Sequence, residues 1–196
     1  MEELFFFLNS VYPLTEELRN HLNQILKQRD LAEGEYLLRA GHYCENVYFV
    51  YKGLLRSYYD NKRGVEINKW FMKRGDVVYA VQSFLDQVPS TEFIQALEES
   101  TVYYISHKEL QKTYDEYLIF NIHGRKLTEE YYKRSEQRND IMRIPEAIER
   151  YQYLLEHFPE LTNAVPDKHL ATFLRMTPVT LSRMRNNRMK KASEKK

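Results

Sequence analysis

The feature that most constrains this chain lies near its end, in residues 167–187. Leu170, Ala171 and Leu174 recur at the spacing of one helical face, and Leu181 and Met184 face them from a second helix after a short turn. Two short helices that cross at a steep angle need a small residue where they touch, and Ala171 is such a residue. The stretch therefore predicts a helix-turn-helix.

The second of these helices has a defined start and an outward face that could enter a DNA major groove. Thr177 is suited to cap free backbone N–H groups, and Pro178 is suited to the first helical position. Arg175 stands at the turn position that Gly usually fills, so a positive φ is expected there. The candidate DNA-contacting residues are Lys168, Thr177, Pro178, Val179, Thr180, Ser182, Arg183, Arg185, Asn186 and Arg188.

Charge is distributed unevenly along the chain. Residues 165–196 hold nine Lys and Arg against two acidic residues, a net charge of +7, whereas the whole chain carries +1. Residues 1–164 therefore carry −6. A mildly acidic body with a basic tip indicates that one end contacts a polyanion, although residues 190–196 alone are more typical of a solvated tail.

Several classes of protein and site are excluded by the composition. The single cysteine, Cys44, rules out an internal disulfide and any cluster or zinc site that needs several thiolates from one chain. The apolar run 4–8 is too short for a signal-peptide core or a membrane span, so we expect a cytoplasmic protein without a membrane partner. No catalytic constellation or cofactor motif is evident, and we predict that the chain is not an enzyme.

The rest of the chain changes from helical to strand periodicity and back. Residues 13–28 predict an amphipathic helix with Thr15 as its N-cap. From Arg29 the apolar period becomes two, and short runs rich in Tyr, Val, Phe and Ile alternate with glycines. This pattern predicts an antiparallel barrel or sandwich, with residues 60–64 as a hairpin connection. The expected strands include residues 46–51, 54–59, 65–71, 92–97 and 101–105.

Residues 107–138 predict one long helix, or a short helix followed by a long one, before Pro145 ends or restarts the helix. A helix of about thirty residues would span about 45 Å, which is more than a small barrel can cover. A second copy of the same helix is the expected partner, and Gly124 would permit its close approach. The alternative is that the helix packs wholly within its own subunit.

A β-barrel, a long helix and a C-terminal helix-turn-helix, in that order, resemble the Crp/Fnr family of bacterial transcription regulators. Gly75-Asp76 resembles the Gly-Asp that opens the family's ligand-binding segment, and residues 170–183 resemble its DNA-reading unit. The resemblance implies an α+β fold whose sensor is an antiparallel β-barrel of the jelly-roll, or double-stranded β-helix, type found in cyclic nucleotide-binding domains. The implied parts are a sensor with its N-terminal helix (1–115), a long dimerisation helix (116–144) and a helix-turn-helix domain (145–196).

The resemblance also implies a homodimer, joined through residues 116–144, that reads a palindromic site in double-stranded DNA. Its two recognition helices would lie about 34–36 Å apart, and RNA polymerase would be a further partner. Arg183 matches the family's recognition arginine and is the first choice for a guanine contact.

The remaining DNA-facing residues follow the family less closely. Lys168, Arg185 and Arg188 are expected to contact phosphates, which fix register without reading sequence. The family's Arg and Glu at the start of the recognition helix fall on Pro178 and Val179. Val179 or its neighbour Thr180 would instead touch a thymine methyl group.

The sensor departs further from the family. Counted from Gly75-Asp76 without gaps, the ribose-binding Gly-Glu pair falls on Tyr79-Ala80, and the arginine that neutralises the cyclic phosphate falls on Ser90. The chain has no Arg between residues 74 and 125 and no Lys between residues 73 and 108. Burying a phosphate without a cation is costly, so cyclic AMP is not expected as the effector.

Two states of the sensor remain open, namely a closed pocket and a pocket for an unidentified, uncharged or apolar ligand. The candidate pocket residues are Tyr79, Ala80, Phe84, Ser90 and Thr91. The alternative function is a ligand-binding or protein-interaction module whose terminal helices no longer read DNA. It is favoured by Arg175 in the turn, by the apolar residues at 178 and 179, and by the few residues that follow the recognition helix.

Overall fold

The computed structural model of this chain describes the backbone of residues 1–193 and the side chains of residues 1–187. The N-terminal elements are α1 (Glu2–Val11), α2 (Glu16–Ile25), β1 (Lys27–Leu31), β2 (Tyr36–Leu38), β3 (Asn46–Lys52), β4 (Leu54–Asp60), β5 (Glu66–Lys73), β6 (Val77–Val78), α3 (Val81–Asp86), β7 (Phe93–Ala96) and β8 (Ser100–Ser106). The later helices are α4 (His107–Glu116), α5 (Phe120–Arg143), α6 (Ala147–His157), α7 (Leu161–Ala164), α8 (Asp167–Phe173) and α9 (Pro178–Ser193).

The strands form two four-stranded sheets of order β1-β8-β3-β6 and β2-β7-β4-β5. Strand β8 pairs antiparallel with both β1 and β3, and β2 pairs antiparallel with β7. Most neighbours in these sheets are distant in sequence, which is the strand order of a jelly roll and not of a simple meander. The predicted α+β jelly-roll fold is confirmed, with two separate sheets in place of one closed barrel.

The chain divides into two compact units. The body unit comprises Met1–Ser57 and Met72–Lys133, and the helix-turn-helix unit comprises Tyr58–Phe71 and Arg134–Lys196. The division therefore cuts through β4, β5 and α5, each of which contributes residues to both units. The grouping of the β4–β5 hairpin with the C-terminal helices was not expected from the sequence. The three-part division at residues 115 and 144 stays a prediction.

The core of the body unit includes a helix that the sequence analysis did not predict. α1 buries Leu4, Phe5 and Leu8 in a cluster completed by residues of α2, β3, β8 and α5. Within the apolar run 4–8, Leu4, Phe5 and Leu8 thus form the buried face of a short helix, whereas Phe6 is 79% exposed. α2 starts as predicted, because Thr15 Oγ1 accepts a hydrogen bond from Leu18 N at 3.3 Å.

The helical segment after the sheets is a short helix followed by a long one. α4 ends at Glu116 and α5 begins at Phe120, so the second of the two predicted forms is correct. The side-chain amide of Asn121 donates to Tyr114 O at 2.9 Å and to Leu118 O at 3.2 Å. The first bond gives Tyr114 O a partner near the end of α4, and Leu118 O also accepts the backbone N–H of Asn121 at 3.2 Å, so Asn121 holds the turn between the two helices. No helix in residues 1–193 has both the length and the apolar character that a membrane span requires.

Gly124 has a packing role within its own unit that the sequence did not predict. A Cβ on residue 124 would collide with the hydroxyl and ring of Tyr114 in the same unit. The space on one side of this glycine is therefore used by Tyr114 of the chain's own α4, and the expected approach of a second copy at Gly124 stays a prediction. Leu127 also packs on the core of the body unit, and Tyr131 stacks on Tyr79 with ring centroids 6.2 Å apart.

Candidate nucleic-acid interface

The start of α9 is set by Thr177, as the sequence predicted. Thr177 Oγ1 accepts a hydrogen bond from Thr180 N at 3.1 Å, and its backbone carbonyl accepts one from Leu181 N at 3.1 Å. Pro178 is the first residue of the helix and lacks only an N–H that would have had no partner inside the helix. The start of α9 is therefore fixed by the Thr177 cap.

The turn between α8 and α9 is held by backbone geometry and by packing. Arg175 has φ 53°, the left-handed conformation expected at this position. The N–H of Met176 donates to Ala171 O at 2.9 Å, which closes the turn over the end of α8. Beneath it most of the side chains that the apolar pattern predicted as the contact between the helices are fully buried. They are Leu170, Ala171, Leu174 and Leu181, whereas Met184, also predicted to face inward, is only half-buried.

An arginine that the sequence analysis missed supports the same turn. Arg150, on α6, donates from Nε to Leu174 O at 2.8 Å and from a terminal nitrogen to Arg175 O at 3.4 Å. Its other terminal nitrogen donates to Ile144 O at 2.9 Å and to Pro145 O at 2.7 Å. Helix ends leave carbonyls without intrahelical partners, so one guanidinium satisfies groups at two chain breaks. Only its spatial position reveals this role, since nothing in the local sequence marks it.

Most of the predicted DNA-contacting side chains are exposed, and all of these except Lys168 lie at or beyond the start of α9. Val179 is 59% exposed. Thr180 is half-buried, because its hydroxyl lies 2.9 Å from that of Thr177. The Arg188 side chain lies outside the described residues. The remaining exposed members of the set are Lys168, Thr177, Pro178, Ser182, Arg183 and Asn186.

Most of the predicted sensor residues are engaged in contacts within their own unit. The ring of Tyr79 packs on Phe84 at 5.1 Å and stacks on Tyr131, and Phe84 in turn packs on His107 at 5.0 Å. Burial, with smaller contributions from nearby tyrosines, raises the pKa of Tyr79 to about 12. Ala80 is buried, and its N–H donates to Cys44 Sγ at 3.4 Å. The rings of Tyr79 and Phe84, two of the five predicted pocket residues, are thus packed against other rings of the same unit.

Ser90, at the position of the family's phosphate-binding arginine, is also engaged internally. It is buried, its hydroxyl donates to Glu92 O at 3.0 Å and accepts from Glu92 N at 2.9 Å, and its N–H donates to His42 O at 2.8 Å. Thr91 beside it is exposed. An open groove of about 480 Å³ does occur beside α4 and α5, but none of the five predicted pocket residues lines it.

Part of the sequence matches a known domain family, and the fold is similar to that of known proteins. Residues 28–117 match the sequence profile of the cyclic nucleotide-binding domain. FixK2 from Bradyrhizobium japonicum is similar in structure, with a TM-score of 0.72 and 18% identity over 86% of each chain. CooA from Carboxydothermus hydrogenoformans gives a TM-score of 0.68 and 18% identity over 90% of this chain and 79% of its own.

A third similar structure is CLP from Xanthomonas campestris, described as a c-di-GMP-responsive global regulator, with a TM-score of 0.66 and 14% identity over 91% of this chain and 93% of its own. No curated protein matches the chain by sequence. The chain has the fold of the Crp/Fnr regulators. The predicted resemblance is therefore confirmed for the fold over nearly the whole chain, even though the pocket residues diverge.

Within this Crp/Fnr fold, Arg185 has a structural role that the sequence analysis did not anticipate. Its guanidinium donates to Thr162 O at 2.6 Å and forms an ion pair with Asp167 at 3.0 Å. The side chain is 29% exposed. Arg185 thus ties α9 to the start of α8 and to α7, whereas Arg183, two residues earlier, is exposed. That contrast could not be read from a pattern in which both are basic residues on one helix.

The helix-turn-helix unit of this Crp/Fnr fold also contains part of the β4–β5 hairpin. Asn68, on β5, is buried, and its side-chain amide donates to His169 O at 3.1 Å and to Thr172 Oγ1 at 2.7 Å. Both acceptors lie on α8. The hairpin therefore holds the first helix of the motif by polar bonds that leave α9 exposed.

Trp70 on the same strand adds an aromatic contact. Its ring meets Phe158 edge-on at 5.0 Å and Phe173 at 5.7 Å, and the Arg138 guanidinium lies 5.0 Å from the ring centre. Such aromatic and cation–π pairs each add about 0.5–1.5 kcal/mol beyond the burial of apolar area. Trp70, on the β5 strand of the hairpin, thus packs against the core under the helix-turn-helix. Residues 58–71 carry no sequence signal of this contact.

Proposed function

We propose that this chain is a DNA-binding transcription regulator of the Crp/Fnr type. The observation that carries the proposal is the exposed face of α9, whose start is fixed by the Thr177 cap and whose outward residues include Arg183. This face lies within a segment of net charge +7, on a chain that is otherwise acidic. A fixed helix with a basic, solvent-exposed face is suited to the major groove. The function needs no catalytic residue.

The DNA contacts divide by type. Arg183 is free to offer its planar fork to guanine O6 and N7. Lys168, at the start of α8, is placed to contact a phosphate, as is Arg188 by its position in the sequence. Arg185 is not assigned a direct DNA contact, because its guanidinium is already bound by Asp167 and Thr162.

The proposed active form is a homodimer on a palindromic site. The face of α5 that does not pack on the body unit, together with the turn before it, exposes apolar side chains. Leu118 is 77% exposed and Tyr132 is 66% exposed, and Ile122 lies between them. Ile122 and Tyr132 fit the a and d positions of a heptad repeat, and the two such positions between them hold the Arg125–Glu129 ion pair at 2.6 Å, so this face is partly apolar and partly charged. A second copy of α5 is therefore the proposed partner of this face.

The proposed regulator does not respond to cyclic AMP in the family's usual mode. Ser90 stands where a cation would be needed, and its hydroxyl is occupied by Glu92. The space near Tyr79 is filled by aromatic rings. A closed sensor of this kind would leave DNA binding independent of the nucleotide. We further propose a cytoplasmic location and action on RNA polymerase, and we retain the division into sensor 1–115, dimerisation helix 116–144 and DNA-binding domain 145–196.

The test is selection of binding sites by the full-length protein from a pool of random duplex DNA, followed by fluorescence anisotropy of the selected duplex over a salt series. We expect a palindromic sequence, two protein chains per duplex, affinity that falls steeply with salt, and no change on adding cyclic AMP. Arg183→Ala should reduce affinity for the selected site by about tenfold to a hundredfold while changing non-specific binding much less.

A matched charge control is Lys112→Ala, which removes one exposed cation from α4 in the body unit. It should leave affinity for the selected site unchanged. Failure to enrich any sequence, with weak binding that is indifferent to Arg183, would contradict the proposal and favour an interaction module that no longer reads DNA. Binding only after addition of cyclic AMP would contradict the closed sensor.

A further inference from the structure

The first turn of α9 carries two threonine hydroxyls that are bonded to each other. The oxygens of Thr177 and Thr180 lie 2.9 Å apart, and Thr177 Oγ1 also accepts the N–H of Thr180 at 3.1 Å. A threonine has one polar and one apolar branch. The hydroxyl of Thr180 is thus bonded within the first turn, and its methyl group is the branch that makes no hydrogen bond.

The two residues between these threonines are also apolar. Pro178 has no backbone N–H, and both Pro178 and Val179 are exposed. The start of α9 therefore presents a proline ring, an isopropyl group and a methyl group where many recognition helices present polar side chains. Groups of this kind cannot hydrogen-bond to base edges, and they gain free energy only when another apolar group covers them.

One base in the major groove offers such a group. Thymine carries a methyl on C5, whereas guanine, adenine and cytosine present only hydrogen-bonding groups there. Arg183 lies four residues beyond Val179, which is about 6 Å along a helix with 1.5 Å rise per residue. Base pairs are spaced about 3.4 Å apart, so the two side chains would reach bases roughly two steps apart.

We propose that Val179 and the Thr180 methyl group read thymine 5-methyl groups, about two base pairs from a guanine contacted by Arg183, in each half-site. This assignment rests on the proposed function, because it requires α9 to lie in a major groove. To the proposed DNA binding it adds which side chains would select the base sequence. The first turn of α9 selects bases by apolar contact alone, and the polar contact to a base comes one helical turn later.

The experiment uses the full-length protein and the duplex selected as described above. Deoxyuridine replaces thymidine one position at a time, which removes the methyl group and keeps the base pair. At the contacted position we expect affinity to fall about fourfold for one half-site and about fifteenfold when both half-sites are changed. Replacement at other positions should have no effect.

Matched protein variants test which side chain covers the methyl group. Thr180→Ser keeps the hydroxyl that bonds Thr177 and removes only the methyl, whereas Thr180→Val keeps the methyl and removes the hydroxyl. Val179→Ala shortens the other apolar side chain. Thr180→Ser and Val179→Ala should each reduce the penalty for deoxyuridine, and Thr180→Val and Lys112→Ala should retain it.

The outcomes separate this proposal from the function on which it rests. A selected site that binds tightly but tolerates deoxyuridine at every position overturns the thymine assignment and leaves DNA recognition intact. Equal penalties in wild type, Thr180→Ser and Val179→Ala overturn the assignment to these residues. If no sequence is selected from the random pool, the proposed function itself fails.

Discussion

The side-chain amide of Asn68 lies 2.7 Å from Thr172 Oγ1 and donates a hydrogen bond to it across a sequence separation of 104 residues. The same amide donates to His169 O, so a strand of the β4–β5 hairpin is bonded to the first helix of the helix-turn-helix. Because Asn68 is 3% exposed, water does not readily replace these bonds.

Loss of this amide should destabilise the helix-turn-helix unit. We expect Asn68→Ala to lower its free energy of unfolding by about 1–3 kcal/mol, since buried acceptors lose their donor. Asn68→Asp, which keeps the shape but places a charged acceptor beside two acceptors, should cost at least as much. The measurement is urea unfolding followed by fluorescence of Trp70, the chain's only tryptophan, which lies in the same unit.

The control for this prediction is Asn163→Ala, because Asn163 is exposed in the same unit. It should change stability by less than about 0.5 kcal/mol. An Asn68→Ala protein as stable as the Asn163→Ala protein would show that the hairpin does not contribute to this unit.

Alanine substitutions of Arg183 and Arg185 should have different effects, the first on DNA affinity and the second on stability. Arg185→Ala removes the bonds to Thr162 O and Asp167, and we expect the free energy of unfolding to fall by about 1–2 kcal/mol, a value kept low because the ion pair is partly exposed. Arg183→Ala should change it by less than about 0.5 kcal/mol and should reduce DNA affinity. Urea unfolding and DNA anisotropy on both variants check the pair, and equal stability losses would contradict it.

Features of the fold that depend on neighbouring residues could be predicted from the sequence. Thr15 and Thr177 cap helices because a hydroxyl before a helix reaches its first free N–H groups. The 60–64 connection forms because Asn61 Oδ1 accepts the N–H groups of Arg63 and Val65, and Gly64 adopts φ 70°. Each of these features depends on a few adjacent residues, and those residues have few other conformations available to them.

Contacts between distant segments could not be predicted. Asn68 and Thr172 are ordinary polar residues in their own elements, and the sequence around either one does not predict a contact with the other. The same holds for Tyr114, whose ring occupies the space beside Gly124, and for Arg150, which satisfies carbonyls at two breaks. The exposed face of α9 was predictable because helical periodicity defines it. The internal role of Arg185 was not, because Thr162 and Asp167 approach it only in the folded chain.

Gly124 and Tyr114 should be strongly coupled. Alanine in an exposed helix is usually about 1 kcal/mol more stable than glycine, but a methyl at residue 124 would force the Tyr114 ring to move. We expect Gly124→Ala to stabilise the protein by about 1 kcal/mol in a Tyr114→Ala background and to be less favourable by about 1–3 kcal/mol in wild type. Chemical unfolding followed by circular dichroism measures the four proteins of this cycle, and additive effects would contradict the contact.

The packed state of Tyr79 predicts a loss of stability in alkali. Burial raises its pKa in the folded chain to about 12, whereas an unfolded tyrosine titrates near about 10. Below about pH 10 the phenol is protonated in both states. Above that pH the unfolded chain loses the proton first, so stability falls through the window up to about pH 12, by about 1 kcal/mol at pH 11. Tyr79→Phe keeps the ring and should remove this part of the slope. Urea unfolding of both proteins between about pH 8 and pH 11 provides the comparison. Parallel curves would mean that solvent reaches the phenol and that the pocket beside it is open.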